Sequence, residues 1–191
     1  LKNKFQKFTE GGVTVAFPKN TFYKDVFIDF SLKGKLATIH KPSIPLNKSF
    51  TITFDSTMYK KSEAAKIYIA NINNKKYPSY QNTRKKSDKV FTTSKTLGKY
   101  TLLIDNQIPK IYNPNFKNNG WVSQLNYLTI KVSDIQSGIK SYEAFIDDEW
   151  ILMEYDVKKK KLSYNFNDKK LVGSKHIFKL VVSDNVGNTN T

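Results

Sequence analysis

The sequence predicts an all-β chain folded as two β-sandwiches in tandem. Three observations carry this. Short runs alternating apolar and β-branched or polar side chains recur along all 191 residues, bounded by Gly, Pro, Asn, Asp or Lys clusters. Eleven tyrosines and 13 phenylalanines favour strands over a helical bundle. A turn-forming stretch with a proline, Asp105-Asn-Gln-Ile-Pro-Lys110, separates two sets of runs. The expected domains are 1–107, a β-sandwich accessory domain, and 108–191, an immunoglobulin-like or fibronectin-like sandwich with the boundary near Gln107.

In the first half the expected strands are Val13–Phe17, Val26–Leu32, Leu36–His40, Phe50–Phe54, Lys66–Ala70, Val90–Thr93 and Tyr100–Ile104. Tyr59–Ala65 alone could hold a helical turn, with Ser62 as N-cap. In the second half Asn113–Gly120 is a polar loop ending at Trp121. Leu128, Ile130, Val132 and Asp134 share one strand face, as do Phe178, Leu180, Val182 and Asp184. Between them lie Ile139–Ile146, Trp150–Tyr155 and Leu162–Phe166, with Asp147-Asp148 as a tight hairpin turn. In an immunoglobulin-like topology the second and sixth strands lie in opposing sheets. Their following loops, Asp134–Gly138 and Asp184–Asn188, then meet at one pole.

Lys and Arg outnumber Asp and Glu by 32 to 16, a net charge of +16. One reading is an anionic partner such as nucleic acid, lipopolysaccharide or an acidic glycan. The other looks at how the charge is made. Arg84 is the sole arginine, so lysine supplies 31 of the 32 basic residues. Lys, Asn, Ile, Tyr and Phe all have AT-rich codons, and coding bias alone yields this composition. Nucleic-acid readers lean on arginine for bidentate contacts, so no nucleic-acid partner is expected. Lysines on the polar faces of the strands spread the field, so anion binding should be diffuse and salt-sensitive.

No enzyme is expected from the motifs. Cysteine is absent, which removes disulfides and thiolate metal sites. His40 and His176 are the only imidazoles and fall in different halves. His40 reads as structural or exposed, and His176 as a satisfied histidine at the rim of the core. No cofactor motif occurs: Leu97-Gly98-Lys99 lacks the earlier glycine of a phosphate loop and reads as a turn into a strand. A sugar-stacking platform could use Trp121, Trp150, Tyr77 and Tyr80, although Trp150, alternating with Leu152, is expected in the core. Tyr77-Pro-Ser-Tyr80 and Arg84-Lys85-Lys86 form an exposed basic-aromatic loop, the foremost candidate ligand surface. At the paired-loop pole Asp134 and Asp184 fix their loops through the amides of Ser137, Gly138 and Gly187. Alternatively they bind calcium together with Asn185 and Asn188.

Ser137-Gly-Ile-Lys-Ser-Tyr142, Ile146-Asp-Asp-Glu-Trp-Ile151 and His176–Asn188 resemble bacterial immunoglobulin-like repeats. Gly12–Asn20 and Leu97–Asp105 look like the opening and closing strands of a different β-sandwich accessory domain. In this order, nearly the whole chain is similar to the C-terminal region of Bacteroidetes lysostaphin-type zinc metallopeptidases, which cleave peptidoglycan cross-bridges. The catalytic signatures of that family, His-x-x-x-Asp and His-x-His, are not found here, so no catalytic residue carries over. The resemblance implies a non-catalytic targeting module in the periplasm, cell envelope or secreted space. Its partners would be the catalytic domain of the same parent chain and peptidoglycan or an anionic glycan. The competing class is an adhesion or carbohydrate-binding module of an unrelated surface protein, with an anionic glycan as its ligand. The chain opens at Leu1-Lys2-Asn3 without a signal peptide and reads as an excised or mature fragment. No stretch is long and apolar enough to span a membrane.

Overall fold

The computed structural model describes residues 2–191. It divides into two compact units, one ending at Asp105 and the other spanning Asn106–Thr191. The sequence places this boundary slightly later, at Gln107.

In the first unit the strands are β1 Gln6–Glu10, β2 Val13–Phe17, β3 Phe30–Lys33, β4 Leu36–Ile39, β5 Phe50–Asp55, β6 Ile67–Asn71, β7 Ser79–Tyr80, β8 Arg84–Lys86, β9 Lys89–Ser94 and β10 Gly98–Ile104. They form two antiparallel sheets, ordered β1-β2-β5-β9-β8 and β3-β4-β10-β6-β7. Alternation decides which face each strand buries. Val13, Val15, Phe17, Phe50, Ile52 and Phe54 point inward from one sheet and meet Ile39, Ile67, Ile69 and Tyr100 of the other. Phe17 lies 5.3 Å from Phe50 and Phe50 lies 6.0 Å, edge-on, from Tyr100, so the rings connect the two sheets. The Tyr100 hydroxyl keeps a partner by donating to Ser94 Oγ at 2.8 Å.

Two parts of this unit differ from the sequence reading. The expected strand Val26–Leu32 is regular only from Phe30. The segment read as a solvated loop at Tyr77–Lys86 instead holds β7 and β8, which pair with different sheets: β7 with β6, and β8 with β9. One stretch of chain thus closes an edge of both sheets. Among the described residues the only helix is α1, Lys61–Ala64. Ser62 lies inside it and does not cap it. The amide of Lys60 donates to Glu63 Oε2 at 3.2 Å, a glutamate reaching back to an otherwise orphaned donor.

The second unit contains β11 Lys110–Tyr112, β12 Tyr127–Ser133, β13 Ile139–Ile146, β14 Glu149–Ile151, β15 Glu154–Asp156, β16 Lys161–Asn165, β17 Phe178–Asp184 and β18 Thr189–Asn190. The sheets are ordered β11-β12-β16-β15 and β14-β13-β17-β18. That is the A-B-E-D and C′-C-F-G arrangement of an immunoglobulin-like sandwich. The second and the penultimate strand, β12 and β17, lie in opposing sheets. Leu128, Ile130 and Val132 face Ala144, Ile146, Leu180 and Val182 across the core. The expected strand Trp150–Tyr155 is two strands, β14 and β15, one in each sheet.

Trp150 is not in the core. The Asp147-Asp148 turn has both residues at positive φ, 52° and 63°, and pairs Ile146 with Glu149. This register turns Ile151 and Met153 inward, and leaves Trp150 61% and Leu152 60% exposed.

Gly98 sets the start of β10. It has φ 120°, and Asn73 is folded over it: Asn73 Nδ2 donates to Leu97 O at 3.0 Å and Asn73 Oδ1 accepts from Lys99 N at 2.8 Å. A Cβ there would overlap the Asn73 side chain. Gly98→Ala should therefore lower stability by about 2 kcal/mol, through backbone strain and the displaced asparagine. Denaturant unfolding monitored by circular dichroism checks this; an unchanged midpoint would show that the Asn73 clamp is slack.

Candidate functional site

The pole of the second unit forms as its loops require. Asp134 Oδ1 accepts from Gln136 N at 3.0 Å and Gly138 N at 2.7 Å. Asp184 Oδ1 accepts from Val186 N at 2.9 Å and Asn188 N at 2.8 Å. Amide partners thus sit two and four residues beyond each carboxylate, and include the expected Gly138. Gly187 N donates instead to the Asp184 carbonyl at 3.3 Å. The loops are joined by Asn185, whose Nδ2 donates to Ser137 O at 2.8 Å and Gly138 O at 3.1 Å. Asn188 Nδ2 donates to Asp184 Oδ2 at 2.6 Å. Both asparagines therefore present donors here, whereas a hard cation takes oxygens. Carboxylate oxygens of Asp134 and Asp184 lie within 4.8 Å of each other, and Asp184 is fully buried. The amide and side-chain donors offset the cost of burying that charge.

Each histidine is tied to an aspartate of its own unit. His40 Nδ1 lies 3.0 Å from Asp29 Oδ2, and His176 Nδ1 lies 2.6 Å from Asp147 Oδ2. Asp147 Oδ1 also accepts from Ile177 N at 2.7 Å. The hydrogen bond that His176 donates to the Asp147 carboxylate raises the His176 pKa above the ordinary imidazole value, and the same bond lowers that of Asp147. His176 therefore pins the β13–β14 turn and is satisfied, as the sequence suggested.

The basic-aromatic candidates separate. Tyr80, on β7, is half-buried with its ring 5.6 Å from Tyr68, and its hydroxyl accepts from Thr83 N at 3.3 Å. It belongs to the packing of the sheet. Tyr77 is exposed, with Lys76 Nζ 5.4 Å from its ring centroid. Arg84, Lys85 and Lys86 form the edge strand β8, with Arg84 opposite Phe91 and Lys86 opposite Lys89 on the outer face. Lys85 lies opposite buried Val90 and reaches across to Ala65, where its ammonium donates to the carbonyl at 2.6 Å. Loss of water there, and then the charge of Lys66, lower the Lys85 pKa. No sequence motif marks this coupling of Lys85 to Lys66, because Lys66 lies in the turn before β6, far along the chain from β8.

Two hollows open in the first unit. One of about 280 Å³ is framed by Gly11, Gly34, Asp55 and Met58, with Lys35 Nζ 4.5 Å from the ring centroid of Tyr59. The other, about 290 Å³, is lined by Phe8, Phe17, Phe22 and Phe27. Trp121 is 87% exposed in the second unit.

A model of the Zu5-like domain matches residues 2–105, more than half of the chain. The chain belongs to the Zu5-like domain family. The match ends at the last residue of the first unit, so the Zu5-like domain is the ten-stranded sandwich, and the immunoglobulin-like unit follows it. Among curated proteins and among solved structures, nothing matches the chain.

Two predictions concern the unit after the Zu5-like domain. Asp184→Ala or Asp134→Ala should lower stability by about 1–3 kcal/mol, since each strands two loop amides. Millimolar calcium or a chelator should shift the melting temperature little. A bound ion would add about 2.7 kcal/mol at a hundredfold excess over its dissociation constant. A calcium-dependent shift lost in both variants would convert the pole into a metal site.

The second concerns pH. His176 has a raised pKa, so its contribution is complete below the unfolded value of about 6.5 and fades as pH climbs through the folded value. Asp147 has a lowered pKa, so its contribution is complete above about 3.9 and fades as pH falls through the folded value. The melting-temperature gap between wild type and His176→Gln should be widest between about pH 4 and 6.5 and narrow above about pH 8. A gap independent of pH would remove the ion pair from the account.

Proposed function

We propose that the chain is a non-catalytic accessory segment that holds a cell-envelope hydrolase against an anionic wall polymer. The observation that carries this is the cationic edge of the Zu5-like domain. There β8 presents Arg84 and Lys86 outward beside Lys89, and Lys85 sits near Lys66 with part of its hydration lost. An anion placed at that edge relieves the repulsion between like charges, and nearby lysines on other strands widen the field. The two imidazoles serve turn geometry in separate units. The resemblance to the C-terminal region of lysostaphin-type zinc metallopeptidases supports a peptidoglycan-directed parent and a periplasmic, envelope or secreted setting. No helix among the described residues is long and apolar enough to cross a membrane.

A second reading, an adhesion or carbohydrate-binding module of another surface protein, is favoured by Trp150, exposed beside half-buried Phe145 on an outer sheet face. It needs no hydrolase.

Co-sedimentation with insoluble peptidoglycan, intact or acid-stripped of its anionic polymers, tests the first reading. Retention on intact wall should fall several-fold in the Arg84→Gln, Lys85→Gln, Lys86→Gln triple variant, and should disappear with salt. Retention unchanged at about 0.5 M salt, where the Debye length is well under 10 Å, or equal on stripped wall, would refute it. Motifs of the form His-x-x-x-Asp and His-x-His in the coding sequence ahead of Leu1 would establish the parent.

A further inference from the structure

The outer face of the β14-β13-β17 sheet carries side chains that do not enter the core. Ala144, Ile146, Ile151, Leu180 and Val182 are buried, so their odd or even neighbours point outward. Trp150 is paired across to Phe145, and Phe145 to Lys179, giving one row over three strands. Beside it Glu143 is paired to Val181, with exposed Leu152 just beyond β14. Ser141, opposite Ser183, follows.

We propose that this face binds a neutral glycan chain of two or three pyranose rings, with Trp150 as the stacking base. The proposal rests on the second functional reading and uses none of the cationic edge. A pyranose ring offers an apolar C–H face to an aromatic ring and hydroxyls at its rim. Trp150 and Phe145 supply the first surface, and Glu143, Lys179, Ser141 and Ser183 supply acceptors and donors around it. Charge argues for a neutral occupant. The chain carries +16, yet Glu143 and Lys179 balance on this patch.

Area argues against a second protein chain. Three strands about 4.8 Å apart and three rows of residues make a patch of roughly 200 Å². A stable interface needs about 800 Å² from each partner. Two or three sugar rings fit the smaller figure.

The platform is also fixed in advance. The hairpin that carries Trp150 is pinned at its turn, where Asp147 N donates to Ile177 O at 2.9 Å and the Asp147 carboxylate holds Ile177 N and His176. Little ordering is left for binding to impose.

The test is a titration of the full 191-residue chain with β-1,4-linked tetrasaccharides of N-acetylglucosamine and of glucose. It is run at about 0.5 M salt, so that the cationic edge is screened and its failure or success is read separately. In a Trp121→Phe background Trp150 is the sole indole, and its emission reports on the site. Saturable change with at least one tetrasaccharide is expected. Calorimetry should then show a loss of about tenfold or more in Trp150→Ala, with a smaller loss in Glu143→Gln. Both variants alter exposed side chains, so unchanged melting curves confirm that they fold. No saturable change up to about 10 mM of either sugar, or equal affinity in Trp150→Ala, overturns the proposal. Concentration-dependent self-association abolished by Trp150→Ala, without sugar binding, overturns it in favour of an interface between copies.

Discussion

Contact between the inner faces of paired sheets is what both units depend on. The chain has no cysteine to cross-link it, and its one described helix is four residues long. Apolar burial between sheets must therefore hold the strands. Each buried Val, Leu, Ile or Phe contributes about 1.5–3 kcal/mol against the entropy of ordering the backbone. In the Zu5-like domain the aromatic chain from Phe17 through Phe50 to Tyr100 crosses from one sheet to the other. In the second unit Val132, Leu162 and Val182 occupy the equivalent interior, fully enclosed. The candidate surfaces lie outside these layers, on a strand edge, an outer sheet face and the loops at one pole.

That division explains how two surfaces of opposite chemistry coexist. Edge strands invite unwanted pairing, and charge on them discourages it. β8, with Arg84, Lys85 and Lys86, serves this structural need whether or not an anion binds there. The outer face of β14-β13-β17 has no such excuse for Trp150 and Leu152. They stand beside half-buried Phe145, and this grouping is the reason to look for a ligand.

The sequence makes the fold class legible wherever a strand buries one face. Val13–Phe17 and Leu128–Ser133 alternate cleanly, and the turn at Asp147-Asp148 is where its two aspartates suggest. Other strands are silent. Gln6–Glu10 carries a single large apolar residue, Phe8, and Arg84–Lys86 carries none; only pairing with β2 and β9 makes them strands. Trp150 shows the limit of parity. A run alternating Trp150, Leu152 and inward neighbours can be read in either phase, and a slip of one residue exchanges core and solvent faces. The pairing of Ile146 with Glu149 selects the phase that puts Ile151 and Met153 inside. The carboxylates of the pole were visible, because each ends an inward-facing run. Of their amide partners Gly138 was legible, while Gln136, Val186 and Asn188 were not, since loop geometry selects among neighbours one residue apart.

The passage of Ser79–Lys86 from one sheet of the Zu5-like domain to the other has a mechanical consequence. Its two halves pair with β6 and β9, so the sheets are stitched along that edge. At the opposite edge β1 and β3 each pair within their own sheet only. Beside β1, and lined further by the segment before β3, lies the hollow bordered by Phe8, Phe22 and Phe27. A sandwich sewn on one side opens as a book does, pivoting at the spine. Amide exchange in this domain is then expected to be asymmetric: slower along the lysine-bearing edge, faster along β1 and β3.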